Sequence, residues 1–442
     1  MRLEQEMGKK GPSEPTVLIL ATLDTKHLEA GFLRDRIESH GCRTLLMDTG
    51  VFEAPEDRIG GGGVIPRQEV AAAAGASLED LIASKDKGRC IHTMMEGAQA
   101  LTRRLHYDGR FHGVIAIGGA QGTDIGTAAM RVLPFGIPKF MVSTVASGRA
   151  AFGPYVGTRD IIMMHSVADL QGLNVLTTRV LANSAAAVCG MVKSTTEPAR
   201  RDSGVVPVAM SMLGTTTPGA LRAKAMLESR GFEVVAFHQN GTGGIAMEDM
   251  ILEGMFEGVL DINLHEIGDY VAGGLHGAIR DDRLEAAGKL GIPQVVAPGS
   301  INYTVQGPYA ELTEMLKTRK YIIHNPNLTL VRLSHEELAQ TAELTARKLN
   351  QAKGPVHVFI PLKGFSYPDR EGLNHWEPES NHFFIERFKQ HLSPAIPLQE
   401  IEAHINDAEF IDPVVETFIS LMRERGQDNR AAPQRGDREG GS

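Results

Sequence analysis

Along this chain, solid apolar blocks lead into polar loops rich in threonine or glycine, and then into segments with helical periodicity. The first such run is "TVLILATLDTKHLEAGFLRDRIESHGCRTLLMDTG" (16–50). It reads as an apolar strand, a Thr-rich loop, an amphipathic helix, a glycine and a second apolar strand. Wholly apolar strands separated by a helix predict a parallel βαβ unit with both sheet faces covered. Gly41 stands where the helix must end, the usual place for a left-handed residue.

The pattern returns in the second half as "VPVAMSMLGTTTPGALRAKAMLESRGFEVVAFHQNG" (206–241). With Gly41 placed on Gly231 the two segments align without a gap, Thr25 falling on Thr215 and Glu38-Ser39 on Glu228-Ser229. Further on, "FHGVIAIGG" is echoed by "FEGVLDINL", and "FGIPKFMVST" by "LGIPQVVAPGS", in the same order. These repeats predict an α/β fold of two Rossmann-like, doubly wound domains with mainly parallel sheets, related by internal duplication. A small-residue helix over about 177–192 gives way to a charged linker containing Pro198, which places the boundary near 200. The expected layout is a disordered segment 1–15, a nucleotide-binding domain 16–200, a second domain 201–424 and a disordered tail 425–442.

Composition narrows the class. A chain of 442 residues is too long for one ordinary core. Its 42% hydrophobic content and 48 glycines suit an enzyme-like α/β protein with many turns. The net charge of −9 argues against an extended basic surface, so no direct nucleic-acid binding is expected. Cys42, Cys90 and Cys189 are scattered, odd in number and free of any CxxC spacing. Neither a disulfide framework nor a thiolate zinc site is indicated, and a reduced cytoplasmic chain is the simplest expectation. The first fifteen residues have no apolar core of a signal peptide, and no membrane span is read anywhere in the chain.

Three loops of the first half should meet at the carboxyl ends of its strands: "TLDTKH", "GGAQGT" and "STVASG". In open α/β sheets that is where ligands sit. Glycines let backbone approach an anion, and the first N–H groups of the next helix donate to it. Thr25, Thr123, Thr144 and Ser147 can add hydroxyls and Lys26 a charge, while Asp48 ends the next strand where a ribose-binding acid would stand. GGAQGT is neither GxxxxGK[ST] nor GxGxxG, so alone it fits a tight strand–helix turn equally well. The convergence of three polar loops favours a phosphate-bearing ligand.

At these residues the chain resembles a known family: the ATP-binding inhibitory domain at the N-terminus of the tomato mosaic virus resistance protein, with its bacterial and fungal relatives. The resemblance rests on "TLDTK", "GGAQGT", "STVASG", "YVGTRDI", "GTTTP", "FHQNGTGGIAMEDMI", "GVLDIN" and "FIPLKGFS", and covers about 17–421. It implies two Rossmann-like subdomains, ATP or another adenine nucleotide held by the first, with or without Mg, and a homodimer. Carried over by motif, the nucleotide contacts are Thr25, Lys26, Gly118, Gly119, Gly122, Thr123, Ser147 and Gly148. Where that family often has Gly-Ser-Gly-Gly-Thr, this chain has Gly119-Ala120-Gln121-Gly122-Thr123.

The second half keeps the layout and changes the chemistry. His238 ends a strand, a glycine run follows at 241–244, and Glu248 and Asp249 are expected in the first turn of a helix. Asp261 interrupts an apolar strand, and a buried carboxylate needs a donor; Arg280 or a backbone N–H is the expected partner. His238, Glu248, Asp261 and Arg280 form the candidate catalytic set: Arg280 to grip a carboxylate or phosphate, His238 or Glu248 as general acid/base. The bland alternative is a helix-start preference for acids and satisfied surface histidines. His265 and Glu266 add metal-ligand types, but no ligand spacing fixes a geometry, so no metal site is assigned. Three functions stay open: a nucleotide-dependent enzyme acting on a small anionic metabolite, a nucleotide-responsive protein-binding module without turnover, and a nucleotide-independent hydrolase or lyase.

Overall fold

Apolar strands can be buried on both faces only if helices cover both, and the chain does this twice. A computed structural model describes residues 14–52, 63–147, 153–195 and 205–431. The chain divides into two compact units, Met1–Arg201 and Asp202–Ser442. Gly148 and the segments 1–13 and 432–442 lie outside the described residues.

The first unit contains β1 (Thr16–Ala21), β2 (Arg43–Asp48), β3 (Val64–Ile65), β4 (Gly113–Gly118), β5 (Lys139–Ser143) and β6 (Ile162–His165). They form one sheet in the order β3-β2-β1-β4-β5-β6, with every pairing parallel. Alternate residues of β1 feed opposite cores. Leu18 and Leu20 pack with Met94, Leu101 and Ile125 on one face. Val17 and Ile19 pack with Leu33, Ile37 and Leu181 on the other. The chain runs outward from β1 to β3 and then crosses back to β4, so the order reverses between β1 and β4.

The second unit contains β7 (Val206–Met212), β8 (Phe232–His238), β9 (Gly258–Asp261), β10 (Gln294–Val296), β11 (Tyr303–Gln306), β12 (Tyr321–Asn325), β13 (Leu328–Arg332), β14 (Val356–Pro361) and β15 (Leu398–Ile401). Its main sheet is parallel in the order β15-β14-β10-β9-β7-β8, with the reversal between β7 and β9. An antiparallel sheet, β11-β13-β12, is an addition that the βα rhythm does not predict. The α/β class and the two parallel sheets agree with the sequence reading. Both sheets have the strand order of doubly wound domains in general, so the topology does not bear on whether one half was copied from the other.

Local details follow the chemistry. Gly41 and Gly231 both take left-handed backbone, at φ 72° and 85°, just past the helices Leu23–Ser39 and Thr217–Glu228. The expected small-residue helix runs Val175–Thr195. Its stretch Val175–Ser194 is long and apolar enough to cross a membrane by length and composition, with mean hydropathy 1.4, although Arg179 and several Thr, Asn and Ser residues interrupt it. Leu181, Ala185, Val188 and Val192 are nevertheless buried against the sheet, which accounts for the apolar composition. At the C-terminus, the helix Ala408–Ala431 continues past residue 425, where a disordered tail was expected to begin.

Close helix–strand contact makes a direct prediction. A Cβ on Gly126 would sit 2.5 Å from the Cβ of Ala116 on β4. Gly126→Val is expected to destabilise the first unit by about 1–3 kcal/mol through overpacking. Gly31, inside the helix Leu23–Ser39, has nothing within 4 Å of such a Cβ. Gly31→Ala is expected to stabilise by about 0.4–1 kcal/mol. Chemical denaturation of both variants checks the pair, and equal signs would contradict the packing account.

Candidate functional site

A cavity of about 960 Å³ opens in the first unit at the β1/β4 reversal. The loop after β1 lines it with Thr22, Asp24, Thr25 and Lys26, and the loop after β4 with Gly119, Ala120, Gln121 and Gly122. Gln121 lines the space and leaves it open. Gly119 is the N-cap of the helix Ala120–Arg131 and supplies no side chain to cap it. A bare helix start facing a cavity presents backbone N–H groups and the positive end of the helix dipole. Lys26, Lys85 and Lys87 also line this space, together with the apolar side chains of Val51, Phe52, Leu81 and Ile82. Phe52 is 66% exposed and Ile82 42%.

The residues named from the sequence divide into lining and scaffold. Thr25, Lys26, Gly119 and Gly122 line the cavity, and Lys26 donates from Nζ to the Leu170 carbonyl. Gly118 serves packing: a Cβ there would lie 2.6 Å from the Cα of Gly122. Thr123 was expected to offer its hydroxyl to a ligand. It is instead buried, with Oγ1 donating to the Gly119 carbonyl at 2.8 Å and 2.7 Å from Ser143 Oγ. Thr144 latches its loop to β4 through a backbone bond to Gly118 O at 3.2 Å. Ser147 Oγ lies 3.3 Å from His165 Nε2, and neither Thr144 nor Ser147 lines the cavity.

Asp48 is corrected from ribose ligand to helix cap. Its Oδ1 accepts from Leu23 N at 3.1 Å and Gly50 N at 2.9 Å, and the side chain is buried. Burial pushes its carboxyl above the ordinary value, while the two amides oppose that shift. The carboxylate thus meets the start of the helix Leu23–Ser39, where the N-cap Thr22 makes no side-chain cap bond.

In the second unit the corresponding demands are met from within. Arg283, not Arg280, is the partner of Asp261, at 2.6 Å and 2.8 Å. The same guanidinium lies 3.1 Å from Glu248, 3.3 Å from Glu266 and 2.8 Å from Gln239 Oε1. All these side chains are essentially inaccessible. Burial alone would lower the pKa of Arg283, but Asp261, Glu248 and Glu266 override it and hold the charge firmly. Burial pushes Glu248 and Glu266 up, and Arg283 with nearby backbone amides pulls them back.

Each glutamate doubles as an internal anion. Glu266 Oε1 accepts from Gly241 N at 2.7 Å and Gly244 N at 3.1 Å. A Cβ on Gly244 would strike Glu266, so this glycine admits the carboxylate, while Cβ atoms on Gly241 and Gly243 would meet the backbone of Gly277 and His238. Glu248 accepts from Leu284 N at 2.6 Å, Glu285 N at 3.1 Å and Ala286 N at 2.7 Å. It lies in the interior of the helix Gly243–Leu252 rather than in its first turn. With both oxygens engaged and no solvent contact, Glu248 is scaffold, not a general base. Arg280 binds Asp249 at 2.6 Å and Asp282 at 3.1 Å near the surface, and His238 is exposed at the end of β8. The four candidates therefore form no shared catalytic pocket. Among the described residues, no group of three or more His, Cys, Asp or Glu is placed to hold a metal ion.

Sequence reasoning missed Lys85, Lys87, Phe52 and Ile82. The lysines sit in "SKDKGR", a polar break between two helices that carries no glycine signature. Arg283 was missed because "IRDDRLE" offers two arginines that the sequence does not distinguish. Removing the buried one should be costly: Arg283→Met is expected to lose about 3–5 kcal/mol, since it strands buried carboxylates. Arg280→Met should cost under about 1 kcal/mol at its half-exposed site. Urea titration measures both, and similar losses would contradict the hub.

Comparison with known proteins agrees with this architecture. Residues 15–197 match the N-terminal domain, and residues 206–422 the C-terminal domain, of the uncharacterised protein family UPF0261. A UPF0261 protein of Clostridium tetani is 40% identical over 407 residues, 92% of this chain and 98% of its own length. One from Mesorhizobium japonicum is 34% identical over 411 residues, covering 92% and 99%. The tomato ToMV resistance protein Tm-1(GCR237) is 31% identical over 431 residues, 94% of this chain but 57% of the tomato protein. Matched in both domains and across nearly its whole length, the chain belongs to the UPF0261 family.

Proposed function

We propose that the first unit binds an adenine nucleotide in the cavity at the β1/β4 reversal. One observation carries this reading: an uncapped helix start and three lysines share a space of about 960 Å³ with an exposed apolar edge. That volume is within the usual range for small-molecule sites. The phosphates would lie against 119–122 with Lys26, Lys85 and Lys87 neutralising charge, and the base against Phe52 and Ile82. Asp24 and Asp169 line the same space and suit a magnesium ion carried in with the phosphates. The resemblance to an ATP-binding domain supports the same assignment. The reading extends to a cytoplasmic homodimer whose second unit acts on a small metabolite; whether the nucleotide is consumed or only regulates is decided by product release.

Calorimetric titration with ATP, ADP and AMP tests the site. Each lysine contact to phosphate contributes about 1.5 kcal/mol, so Lys85→Met and Lys87→Met should each weaken ATP about tenfold. Added salt should weaken binding further, because these lysines are near solvent. Lys353→Met, in the second unit, should leave the affinity unchanged. Absence of heat with all three nucleotides at millimolar concentration, or an unaltered affinity in the Lys85/Lys87 double variant, removes the assignment. If ATP binds, ADP or AMP release on addition of metabolite pools separates turnover from regulation.

A further inference from the structure

The second unit's strand ends hold a second polar cluster, joined to the Arg283 hub through the Asn263 carbonyl at 3.3 Å. His265 Nδ1 lies 3.2 Å from the Ser300 carbonyl, which can only accept, so Nδ1 carries the proton. Nε2 therefore has a lone pair. It is buried, on a side chain with no exposed surface, and no group among the described residues donates to it. Burial also pushes this imidazole down to about 4, so it is neutral near pH 7. The ring packs on Tyr303 at 4.7 Å between centroids and meets His276 edge-on at 5.8 Å.

Beside it runs a chain of hydroxyls. Thr215 Oγ1 lies 2.6 Å from Ser300 Oγ and 2.9 Å from Tyr303 Oη. Asn263 Nδ2 donates to Ser300 Oγ at 3.0 Å. Three hydroxyls bring three protons and the two links between them use two, so one proton stays available whichever way the chain is oriented. Ser300 is a non-glycine residue at φ 57°, a conformation that persists only where its surroundings enforce it and that clusters at functional sites. Its backbone N–H donates to Phe365 O at 2.6 Å, and Tyr367 N donates to Thr215 O at 2.9 Å, which ties the loops after β7, β10 and β14 together. On those same loops the Asn302 amide and Ser366 Oγ are buried without hydrogen-bond partners among the described residues. Native proteins seldom leave buried polar atoms unsatisfied.

We propose that this cluster is a binding site for a small, neutral, polyhydroxylated ligand, with His265 Nε2 accepting from one ligand hydroxyl and the Thr215–Ser300–Tyr303 chain donating to another. Donors and acceptors are both on offer, and free charge is not. Arg332, which pairs with Tyr303 across β11 and β13, has its charge offset by Asp369 at 3.5 Å and Glu377 at 3.4 Å, although its Nη1 makes no hydrogen bond among the described residues. Asp269 is tied to Thr304 and to the amides of Val305 and His276. Hydroxyl-rich compounds fit such a surface better than the anionic metabolite expected from the sequence. Thr215 and His276 are half-buried, so one side of the cluster approaches solvent. The proposal does not depend on the nucleotide reading, because all its residues lie in the second unit.

The test uses the full chain with glycerol, erythritol, ribitol and mannitol as probes, and D-ribonate as a charged counterpart. Thermal denaturation at low millimolar polyol should show a rise in Tm for at least one of them. Spectra of 15N-histidine-labelled protein should show His265 as the Nδ1–H form, with its Nε2 resonance displaced on addition of the same polyol. His265→Phe keeps an aromatic ring against Tyr303, and Tyr303→Phe removes only the hydroxyl; both should abolish the response. Tyr303→Phe is the deciding variant where His265→Phe fails to fold. A response to D-ribonate alone, no response to any polyol, or an equal response in folded Tyr303→Phe would each overturn the proposal.

Discussion

A parallel sheet covered by helices leaves the starts of those helices at one edge, each with several backbone N–H groups and no partner within the helix. Something negative or oxygen-rich has to meet them. In this protein the answer differs from place to place, and that difference locates the candidate chemistry. Asp48 meets the helix Leu23–Ser39. Glu266 meets the glycine run 241–244, and Glu248 meets the short helix Ala286–Leu290. The helix Ala120–Arg131 starts instead on a glycine, facing a cavity edged by lysines. Where the chain supplies its own anion it builds scaffold, and at the helix Ala120–Arg131 it leaves the start open to a cavity.

The internal anions have their own requirement, and Arg283 meets it. Three carboxylates out of contact with water would be untenable without a cation in their midst. One guanidinium with several N–H donors serves Asp261, Glu248 and Glu266 together. Its partners then bind backbone from the loop 241–244 and from 284–286, so ion pairing fixes the shape of two loops at once. One glycine of that loop is small for this reason: at Gly244 the room a side chain would need belongs to Glu266. Glycine-rich sequence thus has opposite meanings in the two units, an opening in one and a filled notch in the other.

The cluster around His265 adds a third kind of surface. It lies at strand ends on the β7/β9 reversal, where open sheets present their ligand sites. It differs from the lysine-edged cavity in offering neutral hydrogen-bonding groups under cover. The antiparallel sheet β11-β13-β12 contributes to it directly, since Tyr303 begins β11 and Arg332 ends β13. An addition outside the βα rhythm is therefore what distinguishes the chemistry of the second unit.

The sequence by itself determined the alternation of apolar strands and amphipathic helices, the parallel sheets, and the left-handed glycines at 41 and 231. These depend on periodicity and on backbone sterics, which act over a few residues and can be read locally. It also pointed to the loops 22–26 and 119–122, because strand ends and glycines are local signals too. Tertiary structure alone decided which charged residue answers which: that Asp261 pairs with Arg283 rather than Arg280, that Asp48, Glu248 and Glu266 are caps, and that Thr123 turns inward. It also brought Lys85 and Lys87 to the cavity from a helix junction distant in sequence, and His265 to Tyr303 and Ser300. Electrostatic and hydrogen-bond partners are chosen by distances of a few ångströms between segments far apart along the chain, and no spacing in the sequence encodes those distances.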